Sequence, residues 1–282
     1  MFQPSGLHTF HIPVMGLGYT VDTPLKVAKF GISSVVSIMD DFLLEDMRKI
    51  HSKKLHLAFS PISDSEEDYR AKRVQAYLDL LDTAIHAQME EMKTENWEKE
   101  GTMNQLVALL PQNSKVARLF EEYRLADPLV KNGLKSKILN LLKPGSIDVN
   151  IMTKVDKLNY DKEGNELPRE YSDALSALRG FSKSKLEASV VFSAGMNPAL
   201  YSYAEQFADF FPDENGNIKK RIILKVSDYR SALIQGKFLA KKGLWVSEFR
   251  IESGLNCGGH AFATDGFLAG PILEDFKINR KE

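Results

Sequence analysis

His260 stands at the end of a glycine-rich run, Gly254-Leu255-Asn256-Cys257-Gly258-Gly259-His260. An imidazole titrates near neutral pH, so it can take a proton from an acidic carbon as a general base. Gly258 and Gly259 allow a sharp turn and a close approach of backbone to a ligand. The alternative role for His260 is a plain hydrogen bond to loop backbone. Cys257 and His260 have a C-x2-H spacing that a metal could use. The remaining histidines, His8, His11, His51, His56 and His86, supply no second pair, so no metal is expected. Cys257 as a nucleophile would need an activating environment that spacing does not reveal. Three more places carry polar or glycine residues at predicted strand ends: Gly16-Leu17-Gly18-Tyr19, Asn150 and Ser193. The first is a tight strand-to-helix turn or a backbone surface for a ligand. Asn150 and Ser193 point into a ligand cleft or are packed inward as polar residues. Glu252 could orient His260 or be a charged loop residue. Asp228 reads as a helix cap. The acidic patch Glu90, Glu91, Glu95, Glu98 and Glu100 reads as a solvated helix face.

These residues need a frame that brings strand ends together. The predicted strands are Ile12–Gly16, Ser34–Ile38, Ile147–Ile151, Ala188–Ser193, Arg221–Val226 and Trp245–Glu252, each apolar or alternating. Helical patterns stand between them. Thr23-Pro24 opens a helix that Gly31 stops. Others run from Asp40-Asp41 to about Ser52, Tyr171 to Phe181, Leu200 to Phe211, Asp228 to Lys242, and from Gly270 onward. Strand and helix alternating with short connections predicts parallel strands. Polar turns at the C-terminal ends of such strands are where α/β proteins place their chemistry.

Residues 62–144 break the rhythm. Tyr69, Val74, Tyr77, Leu78, Leu81 and Ile85 recur at helical spacing, as do later groups up to Leu141 and Leu142, before Pro144-Gly145. The expected organisation is therefore two β/α units over 1–61, a helical insertion over 62–144, and units three to six over 145–282. The insertion is a structural appendage, a lid or a partner surface. The fold class is α/β with TIM-barrel-like parallel strands, six of eight units visible. Without the insertion, fewer residues remain than the ~250 typical of a complete barrel. An open sheet and an incomplete barrel both remain as expectations.

Composition narrows the class of function. A net charge of -1 gives no global field for nucleic acid or an anionic membrane. No apolar run of ~18 residues exists to span a bilayer. The N-terminal residues lack the basic start and apolar stretch of a secretory signal. The single cysteine excludes an internal disulfide. The expectation is a cytoplasmic protein with a small-molecule substrate.

Four motifs together resemble the FMN-dependent nitronate monooxygenases and the flavin-type enoyl reductases. More distantly they are similar to the synthase barrel of glutamate synthase. Ile12-Pro13-Val14-Met15-Gly16-Leu17-Gly18 with Asp22-Thr23-Pro24-Leu25, Gly31 and Ser37-Ile38 resembles the opening strand, helix start and second strand. Asp148-Val149-Asn150-Ile151 resembles the third strand, and Val190 to Gly195 with Met196 and Pro198 the fourth. Glu252-Ser253-Gly254 through Gly258-Gly259-His260 resembles the sixth, with its Gly-Gly-His. The likeness implies FMN across the C-terminal strand ends and His260 as the proton-transfer group. It also implies cofactor contacts from Gly16, Leu17, Gly18, Asn150, Ser193, Gly258 and Gly259. The seventh and eighth strands of such barrels, whose loops hold the FMN phosphate, have no counterpart here. Two other classes of function stay open. One is a non-catalytic α/β binding or scaffold protein using the 62–144 helices for a protein partner. The other is an open-sheet enzyme using the Gly258-Gly259 loop for phosphate.

Overall fold

The computed structural model describes residues 7–14, 16, 20–193, 195–252 and 269–281. Six strands form one sheet: β1 (His11–Ile12), β2 (Ser33–Ser37), β3 (Ile147–Met152), β4 (Ala188–Ser193), β5 (Lys220–Val226) and β6 (Val246–Ile251). Every neighbouring pair is parallel, and the spatial order is the chain order, β1 to β6. This is the α/β, TIM-barrel-like class, open between β1 and β6 among the described residues. β1 is shorter than its apolar sequence suggests. Pro13 has no backbone N–H to give to the ladder, so pairing stops at Ile12.

The strands present two unlike faces. Val36, Ile147, Val149, Ile151, Val190, Phe192, Ile222, Leu224 and Val226 point outward into the main core beneath the helices. The alternate residues point inward and are mostly polar or charged. Sheet curvature follows from one contact across that inner face. β3 and β6 are three strands apart, which in a flat sheet means about 14 Å at ~4.8 Å per strand. Yet Arg250 of β6 reaches Asp148 of β3 at 2.6 Å. The sheet is curled into a half-barrel.

The outer layer follows the sequence signals. Helix α1 (Thr23–Val27) has Pro24 in its first turn, and Gly31 closes the following 3₁₀ turn at φ 74°. Helix α2 (Asp41–Lys54) is capped by the Asp40 side chain, which accepts from Leu43 N–H at 3.0 Å. Helix α3 (Tyr69–Thr94) has 26 residues and spans two cores. Its first half, Val74 to Ile85, packs with the sheet. Its end, Met89 and Met92, joins a separate core with Trp97, Leu106, Phe120, Tyr123 and Ile138. Helices α4 (Thr102–Leu109), α5 (Lys115–Leu125) and α6 (Pro128–Leu139) enclose that second core. The Trp97 ring lies 5.5 Å from Tyr123 and 6.1 Å from Phe120, and its indole N–H donates to Met92 O at 3.0 Å. Glu95 departs from the solvated-face expectation. Its carboxylate accepts from Thr102 N–H at 3.0 Å and from Met103 N–H, which caps α4.

After β3 come α7 (Asp173–Lys183), α8 (Pro198–Ala204), α9 (Tyr229–Ala240) and α10 (Ala269–Asn279). The helix expected over Leu200–Phe211 stops at Ala204, and a 3₁₀ turn at Ala208–Phe210 follows. The turn buries Phe210 against Phe181, with ring centroids 6.2 Å apart. Helices α3 and α7 touch at Gly180, where a Cβ would lie 2.5 Å from Ala71 O and 2.7 Å from Val74 Cβ. Gly180→Ala gains helix propensity of about 1 kcal/mol. Backbone cannot move aside cheaply, so the overpacking term of about 1–3 kcal/mol wins. The expected outcome is a lowered urea midpoint at unchanged m-value.

Lys220, at the start of β5, is fully buried. Its ammonium donates to Ser184 O at 3.0 Å, Ser184 Oγ at 2.9 Å and Leu186 O at 2.5 Å, and lies 4.4 Å from the Phe181 ring. Burial lowers its pKa from 10.5 to about 8. Between those values the unfolded chain binds the extra proton, so stability rises with pH. Below about 8 both states hold it and the effect vanishes. Denaturation measured from pH 7.5 to 10.5 should show this rise in the native chain and its loss in Lys220→Met.

Candidate functional site

The curled sheet encloses a cavity of about 230 Å³ on its inner face. All six strands or the residues directly following them contribute to its wall. Its polar lining is His11, Asn150, Lys225, Arg250 and Glu252. Pro13, Val14, Val35, Val191 and Ile251 are its apolar lining. Strand alternation explains this set. Val35 and Ser37 share a side of β2, Asp148 and Asn150 of β3, Val191 and Ser193 of β4, and Glu248 and Arg250 of β6. The register then places Asn150 between Ser37 and Val191, and Lys225 beside Arg250.

Arg250 is the hub. Its Nε donates to Glu248 Oε1 at 2.6 Å and its Nη2 to Asp148 Oδ2 at 2.6 Å. Asp148 is 4% exposed, and burial raises its pKa even beside the guanidinium. The pKa of Arg250 is itself raised: burial opposes its charge, while Asp148 and Glu248 favour it. Burial and the nearby Arg250 charge lower the pKa of His11. At neutral pH its imidazole is neutral and can accept a proton. Lys225 pairs with Glu252 at 2.8 Å, with both side chains about a third exposed.

Of the residues singled out by sequence, Asn150 is buried and lines the cavity. Ser193 is buried at the end of β4, and its backbone O accepts from Thr153 Oγ1 at 2.7 Å. Gly16 adopts φ 141°, a region that favours glycine, and its O accepts from Thr20 N–H at 3.2 Å and Thr20 Oγ1 at 2.6 Å. Leu17, Gly18, Gly258, Gly259 and His260 lie outside the described residues, as does Cys257. Asp228 caps α9, accepting from Ser231 N–H at 2.7 Å, as its sequence position suggests. Glu252 forms the ion pair with Lys225.

Sequence reasoning passed over His11, Asp148, Lys225 and Arg250. The signal was present: Asp148 with Asn150, Arg221 with Lys225, and Glu248 with Arg250 and Glu252 stand at even spacings, on one face of otherwise mostly apolar strands. Strands of a parallel sheet are ordinarily apolar on both faces. Ser37 also went unnoticed. It is 3% exposed, and its Oγ has no hydrogen-bond partner among the described residues. The described residues contain no group of three or more His, Cys, Asp or Glu arranged to hold a metal.

A second groove, of about 600 Å³, lies outside the half-barrel between residues 64–70 and 159–171. Its acidic Asp68 is held by Arg179, and Arg70 pairs with Asp41 at 3.1 Å and with Asp173. These pairs tie α3 to α2 and α7, which is a structural use of charge. Among the described residues no helix is long and apolar enough to cross a membrane.

No family model matches this chain, and neither a curated protein nor a solved structure matches it.

Removing Arg250 would leave Asp148 buried without its cation. Such a loss amounts to about 3–5 kcal/mol. Without the guanidinium, the carboxyl pKa rises further above its unfolded value. The folded state then binds the extra proton, and stability is regained as pH falls through that folded pKa. Arg250→Ala should therefore show a larger stability deficit at pH 7.5 than at pH 5 in urea titrations.

Proposed function

We propose that this chain is an FMN-dependent oxidoreductase similar to the nitronate monooxygenases, with His260 as the proton-transfer group. One observation carries the reading. The parallel sheet runs in chain order, so Asn150 and Ser193 stand on the adjacent strands β3 and β4 while Gly16 and Glu252 follow the C-terminal ends of β1 and β6. This is the arrangement that the four motifs would need in order to act on one bound molecule. The inner face there sets polar side chains among branched ones such as Val35 and Val191, which leaves donors for a ligand.

The donor set suits the polar edge of a flavin ring. The Asn150 amide and the Ser37 and Ser193 hydroxyls would hold it, with the Gly16 turn providing close backbone. Ser37 is a buried hydroxyl in need of a partner. A bound flavin supplies the capacity to accept electrons from a substrate. The chain's own part is positioning, exclusion of water by the walls of the half-barrel, and proton transfer at His260 Nδ1 or Nε2.

A second reading rests on a different surface. Leu125, Leu129 and Val130, at the junction of α5 and α6, are 87%, 93% and 54% exposed. Apolar side chains gathered in this way favour a protein partner on the 62–144 helices. On that reading the inner face of the sheet need not be catalytic.

Absorption and fluorescence during FMN titration separate the two. The expected result is bound flavin in the native chain and in His260→Ala, with turnover lower by about 100-fold or more in the variant. Protein that neither retains FMN nor takes it up at high concentration overturns the flavin reading for this chain.

A further inference from the structure

We propose that the inner cavity binds a small monocarboxylate, with its carboxylate on Lys225 and Asn150 and its apolar body on Val35 and Val191. This goes beyond the flavin reading and does not need it; because both use Asn150, the two ligands exclude one another at that residue.

Size sets the first limit. The cavity of about 230 Å³ corresponds to roughly seven or eight waters at ~30 Å³ each. It suits a molecule of a few heavy atoms and not a dinucleotide. Charge sets the second. Two cations, Lys225 and Arg250, line the cavity against one carboxylate, Glu252. The other acids near it, Asp148 and Glu248, stand on the same inner face and are engaged by Arg250, which offsets its charge and leaves Lys225 as the cation open to exchange. His11 is neutral near pH 7 and does not add to either side.

Exchange is cheap at one of the two cations. The Lys225–Glu252 pair is partly solvent-exposed, and pairs of that kind contribute only about 0–1 kcal/mol. An incoming carboxylate can share or replace Glu252 at Lys225 without a large loss. Arg250 differs, because two acids hold it in place. Its charge is already balanced by them, so it bounds the site without offering a free cation. The Asn150 amide adds a donor at the same level, and Val35 and Val191 give an apolar surface for a short chain.

The test uses the full chain, with butyrate as probe and butyramide as its neutral isostere. The readout is the pH titration of histidine ring resonances, with the His11 signal assigned by His11→Gln. The groups facing His11 are Arg250, Asp148, Glu248, Lys225 and Glu252. An added anion in the cavity opposes Arg250, so butyrate should raise the His11 pKa while His51, His56 and His86 stay unchanged. Butyramide should leave it in place. Lys225→Gln should weaken the butyrate effect at least tenfold in midpoint concentration while keeping a native thermal transition. The proposal is overturned if butyrate moves His11 no more than butyramide does. It is also overturned if folded Lys225→Gln responds like the native chain. A protein that binds no FMN yet shows the His11 response keeps this site and loses only the flavin reading.

Discussion

The ion pair between Arg250 and Asp148 is the constraint on which the rest depends. It closes a distance that a flat six-stranded sheet would leave open, and so it belongs with the curl of the sheet. Curl turns the inner face from a surface into a cavity. It also removes the charges of β3 and β6 from water. A buried pair of this kind adds little net stability against an apolar alternative, yet breaking it is costly. Its presence in a strand interior is therefore better understood as a requirement of the inner face than as a source of stability.

The outer layer solves a separate problem. Apart from Ser34 and Lys220, the alternate residues of β2 to β5 that lie under helices are apolar, and they supply the main core. Helix α3 extends that core into a second one built around Trp97, Phe120 and Tyr123. The 62–144 segment is thus neither a free appendage nor a separate body, because one continuous helix contributes to both cores. The contacts of Arg70, Arg73 and Arg179 with Asp41, Asp173 and Asp68 fasten it at the rim of the half-barrel. The rim carries charge pairs with a mechanical role, whereas the inner face carries charges that meet a cavity.

The flavin reading and the carboxylate site share Asn150 and otherwise draw on different parts of that inner face. The first depends on residues at the strand ends and on His260. The second depends on Lys225, Asn150 and the walls below them. Both follow from the same departure from the usual barrel interior, where branched apolar side chains fill the space. A polar interior in a sheet buried by helices is expensive to desolvate, and function is the ordinary reason for keeping one.

Much of the architecture could be read along the chain. Apolar or alternating runs marked the strands, Pro24 and Gly31 marked a helix start and stop, Asp40-Asp41 marked another helix start, and Asp228 was a visible cap. These signals are local, set by backbone preferences and by hydrogen bonds within a few residues. Asn150 could also be picked out, as a polar residue in an apolar strand. His11, Asp148, Lys225 and Arg250 escaped, although their alternation was in plain view. Which face of a strand is covered by helices and which meets a cavity is decided by how distant strands curl together. Arg250 and Asp148 are 102 residues apart, and only the closed geometry of the sheet brings their charges to 2.6 Å.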